Sequence, residues 1–168
     1  MRLHIGGEEI KEGWKILNIQ NKPGVDFIGD ITDLSQFLDE SVEEVYASHV
    51  LEHIGIFLVE NVIKEIFRIL KQGGTFYVSV PDLEVLTKLF LAEPERNNKI
   101  NLMRMIYGGQ TDKHDFHYVG FWQDFLFQLI KNAGFTSHKK VNFFNIFQDT
   151  SSLNVHGVPI SLNIISVK

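Results

Sequence analysis

The sequence has no cysteine, which excludes disulfide staples, thiolate nucleophiles and thiolate metal ligands, and fits a reducing compartment. No stretch approaches the roughly 20 apolar residues that a membrane-spanning helix needs. The opening run Leu3-His4-Ile5 is too short for the apolar centre of a secretion signal, so a cytoplasmic protein with no membrane partner is expected. No basic stripe stands out, and the net charge of −5 leaves no electrostatic footprint for nucleic acid. Repeats, low-complexity runs and linkers are lacking too. What is there is ordinary globular material. The chain has 168 residues, 44% of them hydrophobic and 22% charged, which suits one domain over 1–168 with one core.

Strand and helix signals alternate along the chain. Arg2 to Ile5, Lys15 to Ile19 and Asp26 to Gly29 read as short strands, with a brief helix over Ser35 to Leu38 and a buried strand over Val42 to Ser48. Phe57 to Lys71 carries Val59, Val62, Ile63, Ile66 and Leu70 at helical spacing, and Gly73-Gly74 is expected to cap it. Thr75 to Val80 is a β-branched and aromatic strand ended by Pro81. Asp82 suits the cap of a helix over Leu83 to Leu91. A helix over Pro94 to Tyr107 and a polar, His-rich loop over Gly108 to Gly120 follow. The spacing then predicts a helix from Phe121 to Ala133, closed by Gly134, and final strands over Val141 to Phe147 and Leu162 to Val167. Alternation of this kind predicts a mostly parallel sheet of about seven strands with the last one antiparallel. In such sheets the ligand sits beyond the carboxyl ends of the strands, where Gly6-Gly7, Asn18, Asp30 and Ser48-His49 gather.

Three stretches together resemble the class I S-adenosylmethionine-dependent methyltransferases. They are Leu3-His4-Ile5-Gly6-Gly7, then Val45 to His53, then Arg68-Ile69-Leu70-Lys71-Gln72-Gly73-Gly74 running into Val78-Ser79-Val80-Pro81. Tyr107 to Asp112 and Phe116-His117 resemble a substrate-side loop of small members of that family. The resemblance covers nearly the whole chain and implies a Rossmann-like α/β fold with S-adenosylmethionine as cofactor. It implies cofactor contacts from Gly6, Gly7, Asn18 and Ser48, with Asp30 accepting from the adenine amine and Ile31 against the ring. Three departures stand out. Glu8 occupies the place of a loop glycine, and Asn18 replaces the acidic residue that holds the ribose. The nine residues from Gly6 to Trp14 are too few for a crossover helix, so the first helix is shortened or missing, and Trp14 is expected to be buried over the gap.

Histidine is the side chain suited to proton transfer near neutral pH. His49, leaving the fourth strand, and His114 and His117, in the polar loop, are the candidate catalytic bases. If a helix begins at Ala47, His49 and His53 share one face. Glu52 lies between them out of register for a zinc-protease motif and no third ligand is evident, so no metal site is assigned. Two readings follow: a methyltransferase acting on a small-molecule or glycan-like acceptor, or a methyltransferase-like binding or assembly module without catalysis. A homodimer is compatible with either. A nicotinamide-binding fold ranks behind both, because the first loop lacks the Gly-x-Gly-x-x-Gly pattern.

Overall fold

A computed structural model describes all 168 residues. Seven strands form one sheet in the order β3-β2-β1-β4-β5-β9-β6. These are β1 (Arg2–Ile5), β2 (Trp14–Asn18), β3 (Phe27–Ile28), β4 (Val42–Ser48), β5 (Leu70–Pro81), β6 (Ser137–Val141) and β9 (Ser161–Val167). A separate ribbon pairs β7 (Asn154–Val155) with β8 (Val158–Pro159). Strands β1 to β5 pair in parallel, and β9 is antiparallel to both β5 and β6. The mostly parallel sheet with an antiparallel last strand is therefore as the sequence predicts. The chain reverses strand order beside β1, which creates a crevice at the carboxyl ends of β1 and β4. No helix is long and apolar enough to cross a membrane.

Helices α1 (Ile56–Ile69) and α4 (Gln123–Ala133) cover one face of the sheet. Val59, Ile63 and Ile66 of α1 and Leu126 and Ile130 of α4 are fully buried against Leu3, Val45, Phe76 and Ile164. Helices α2 (Leu83–Ala92) and α3 (Arg96–Tyr107) form a satellite layer around Leu86 and Leu102. Asp82 caps α2 by accepting from the Val85 amide at 3.2 Å, and Gly134 ends α4 in the left-handed conformation at φ +110°. Both ends are where the sequence puts them.

No α-helix covers the aromatic cluster on the opposite face. None of the connections β1–β2, β2–β3 and β3–β4 is helical, so the missing first helix is joined by the absence of the expected helix over Ser35 to Leu38, which folds as turns. A strap formed by residues 142–152 covers this face instead. Phe147 inserts between His4, Tyr46 and Trp14, with ring centroids 4.0, 4.8 and 5.2 Å away. The strap is tied down by Tyr46 Oη donating to Asp149 Oδ2 at 2.8 Å, by Lys11 Nζ donating to the Ile146 carbonyl, and by the Gln148 amide donating to Glu9 Oε2 at 3.1 Å. Trp14 is 7% exposed, buried as the sequence expects, although it lies within a strand and the strap covers it.

Most element ends fall within two residues of expectation, α3 and α4 beginning at Arg96 and Gln123 rather than Pro94 and Phe121, and two boundaries differ in kind. The strand assigned to Val141–Phe147 lies earlier, over Ser137–Val141, because its aromatic successor residues pack across the sheet face as the strap rather than along its edge. Helix α1 stops at Ile69, and Leu70 is already extended and paired with Val42. Gly73-Gly74 is thus not a helix cap. It lies within β5, beside a register shift between Val42 and Glu44, with Gly73 at φ +73° and its amide bonded to the Lys168 carbonyl at 3.2 Å.

Candidate active-site cleft

The chain leaves β1 through Gly6, whose φ of +74° suits only glycine without strain. A Cβ there would stand 2.6 Å from Val50 Cγ2. The Gly6 amide donates to the Leu17 carbonyl at 2.8 Å, pulling the loop over the end of β2. Asn18 completes this tie, donating from Nδ2 to the Gly7 carbonyl at 3.1 Å and accepting at Oδ1 from the Gln20 amide at 2.9 Å. Beyond β3, Asp30 Oδ1 accepts from the amide and hydroxyl of Thr32, both at 2.9 Å, which forms a tight side-chain turn. Ile31 is buried in the core behind it.

These segments surround a cleft of about 430 Å³, within the range of small-molecule sites. Gly6, Asn18, Asp30, Ile31, His49 and His114 all line it. Gly7 and Ser48 do not. Gly7 packs its Cα against the His4 ring, and the Ser48 hydroxyl is buried without a partner. The cleft also has members that sequence reading did not single out: Lys22, Val50, Ile54, Lys113 and Tyr118. Lys22 forms an ion pair with Glu8 at the rim, so the carboxylate in the glycine's place does not stand alone. A lysine in a Gln-Asn-Lys-Pro turn has no pattern that would announce this.

The wall of the cleft is a polar cluster built on a break in the backbone. β4 ends at Ser48, His49 adopts the left-handed region at φ +53°, and a 3₁₀ turn follows over Leu51–His53. The helix imagined from Ala47 does not form, and His49 and His53 do not share a helical face. His49 Nε2 lies 2.9 Å from Ser161 Oγ. That hydroxyl donates to the Thr150 carbonyl at 2.9 Å, so it accepts from Nε2, which therefore carries a proton. His49 Nδ1 faces Glu52 Oε1 at 3.2 Å. Neither nitrogen of His49 presents a lone pair to the cleft.

Glu52 is wholly buried, and neither carboxylate oxygen meets hydrogen-bond geometry with any donor. Burial alone raises its carboxyl, but His49 and His53 outweigh that and hold it below the usual glutamate range. Its backbone carbonyl anchors the loop above, accepting from the Tyr118 amide at 2.7 Å. That loop is self-supporting: Asp115 accepts from the Thr111 hydroxyl at 2.8 Å and amide at 3.2 Å, and from the Gly109 amide at 3.3 Å. It carries His114 to the cleft, while His117 lies behind, edge-on to His53 with ring centroids 4.7 Å apart. Burial pushes His117 down, and the nearby His53 adds to this against the pull of Glu52, so its ring is neutral at neutral pH.

A family model described as a methyltransferase domain matches residues 8–78, which span β2 to the middle of β5 and most of the cleft. A search of curated proteins gives no match. Among solved structures, the chain is similar to an S-adenosylmethionine-dependent methyltransferase from Archaeoglobus fulgidus, with TM-score 0.62 and 14% identity over 99% of this chain and 85% of that one. It is also similar to one from Thermotoga maritima, with TM-score 0.60 and 18% identity over 99% and 81%. A third is the trans-methyltransferase CalH in complex with S-adenosylhomocysteine, with TM-score 0.59 and 14% identity over 99% and 50%. With its strand order, its antiparallel β9 and these likenesses, the chain is a protein of the class I S-adenosylmethionine-dependent methyltransferase fold.

Proposed function

We propose that this protein transfers a methyl group from S-adenosylmethionine to a hydroxyl of a small-molecule or glycan-like acceptor. The observation that carries this reading is the cleft itself, at the carboxyl ends of β1, β2 and β4 and of a size for a nucleoside-bearing ligand. Its residues fit that ligand. Ile31 and Val50 offer apolar contact for the adenine, and Asp30 keeps Oδ2 free for the exocyclic amine. Asn18 retains only part of its hydrogen-bonding capacity for the ribose, because its amide holds the first loop. At the methionine end Lys22 is the partner offered to the carboxylate, and Glu8, paired with it, competes for that lysine. When bound, the cofactor supplies a sulfonium methyl group, whose bond to sulfur breaks as the acceptor oxygen takes the carbon. The chain's part is to align the acceptor and remove its proton. His114, in the cleft lining, is the group we assign as base, since His49 has both nitrogens engaged and His117 lies behind His53.

A non-catalytic binding module is the second reading, favoured by the Asn18 amide already committed to Gly7 and Gln20. Calorimetry with S-adenosylmethionine and S-adenosylhomocysteine separates the two, with binding of either supporting the enzyme. Glu8→Gly leaves Lys22 free for the methionine carboxylate and is expected to tighten binding about tenfold, equivalent to about 1.4 kcal/mol. Asp30→Ala is expected to weaken it by a similar factor. Absence of binding by the folded wild-type protein defeats the enzyme reading, and unchanged affinity in both variants defeats the assignment of this cleft.

A further inference from the structure

We infer that Glu52, His53 and His117 form a binding site for one divalent transition-metal ion, of which zinc is the representative, at the wall of the cleft. Their donor atoms all lie within 4.8 Å of one another. Ligands bound to zinc at 2.0–2.2 Å stand roughly 3.3 Å apart, so closure requires a shift of no more than about 1.5 Å. The tautomers are already set. His53 Nδ1 lies 3.1 Å from the Phe116 carbonyl and His117 Nδ1 lies 3.3 Å from the Ile106 carbonyl. Each Nδ1 therefore donates to backbone, leaving each Nε2 with a lone pair, the arrangement that orients metal-ligating imidazoles.

Glu52 supplies the independent observation. A fully buried carboxylate is costly to maintain when neither oxygen has a donor in hydrogen-bond geometry and only His49 Nδ1, 3.2 Å from Oε1, faces it, and an ion beside it offsets that cost. His49, with Nδ1 facing Glu52 and Nε2 held by Ser161, positions the carboxylate from outside the site. Two imidazoles and one carboxylate suit zinc or its first-row neighbours, whereas magnesium and calcium take oxygen donors. Three protein ligands leave a coordination position open, as in catalytic rather than structural zinc sites. A hydroxyl bound there would lose its proton more readily, a consequence that rests on the methyl-transfer reading, whereas the site itself does not.

The test is metal binding by the full chain without any cofactor, so that its outcome is separate from that of cofactor calorimetry. Metal-stripped protein is titrated with Zn²⁺, and with Co²⁺ read by its visible absorption, with Mg²⁺ for comparison. One equivalent of Zn²⁺ and of Co²⁺ is expected, with a Co²⁺ spectrum of four- or five-coordinate type. His117→Ala, on a loop, and the isosteric Glu52→Gln are each expected to lower affinity at least about tenfold, while circular dichroism shows the wild-type fold. His49→Ala is expected to weaken binding less than either. The inference is overturned if wild type binds neither Zn²⁺ nor Co²⁺, if it binds Mg²⁺ more tightly, or if binding is unchanged in whichever of the two ligand variants stays folded.

Discussion

The two faces of the sheet are stabilised by different chemistry. On the helical face, Ile63, Ile66, Val78 and Ile164 interdigitate with no polar atom among their side chains. Stability there is a matter of aliphatic area removed from water and of close packing. On the strapped face, His4, Trp14, Tyr46 and Phe147 are each at most 7% exposed, and they bring ring nitrogens and a phenol into the interior with them. Those groups must find partners. Tyr46 Oη finds Asp149 and Ser151, while His4 Nδ1 finds none. A segment whose only regular structure is a single 3₁₀ turn, Thr150–Ser152, can replace a pair of helices, but only by fixing itself to the sheet through specific polar contacts as well as area.

That contrast predicts a ranking of effects. The largest loss is expected on the helical face: Ile63→Ala removes a fully buried side chain from a core with nothing to fill the gap, at about 4 kcal/mol in urea unfolding. Next is a dependence on pH that the strapped face carries and the helical face does not. Burial holds His4 at about 4, against partial opposition from Asp149 and Glu9, whereas the free value is 6.5. The unfolded chain therefore takes up this proton first, and stability falls as pH drops from 6.5 towards 4, by about 3 kcal/mol in all, then levels off. His4→Phe is expected to remove the His4 share of that slope while leaving the cost of Ile63→Ala unchanged. The smallest effect is that of Tyr46→Phe, which deletes the hydrogen bonds to Asp149 and Ser151 and is expected to cost about 1–2 kcal/mol. The contrast fails if Tyr46→Phe costs as much as Ile63→Ala, or if His4→Phe leaves the acid response intact.

Sequence periodicity was informative where one kind of face is buried. Thr75 to Val80 and the apolar stripe of α1 are legible because their side chains alternate or recur at the period of the element they form. It misled where polar sequence builds the sheet and apolar sequence leaves it. Ser137-His138-Lys139-Lys140 is an edge strand, with one side exposed to water, whereas Phe143 to Phe147 has the composition of a strand and lies across the sheet face. The cleft was legible through strand order, since that order dictates where β1 and β4 end. The Glu52 cluster was not, for two physical reasons. The left-handed turn at His49 breaks the helical phase that a linear reading assumed. His117 also arrives from 64 residues beyond His53, with the loop docking onto the Glu52 carbonyl through Tyr118.

The strap has a consequence for the order of assembly. Its ties join residues 103 and 139 apart in sequence, Tyr46 to Asp149 and Glu9 to Gln148, so each closes a loop longer than half the chain. Such contacts bear the full entropy of loop closure before they return any enthalpy. Helices α1 and α4 meet over a shorter span, 54 residues from Ile69 to Gln123, and close a smaller loop. Refolding is therefore expected to leave Trp14 in water after the helical face has formed, and its fluorescence should reach the native value later than the far-ultraviolet dichroism does. In that interval the aromatic face of the sheet is bare, and the chain is at its most prone to associate with copies of itself.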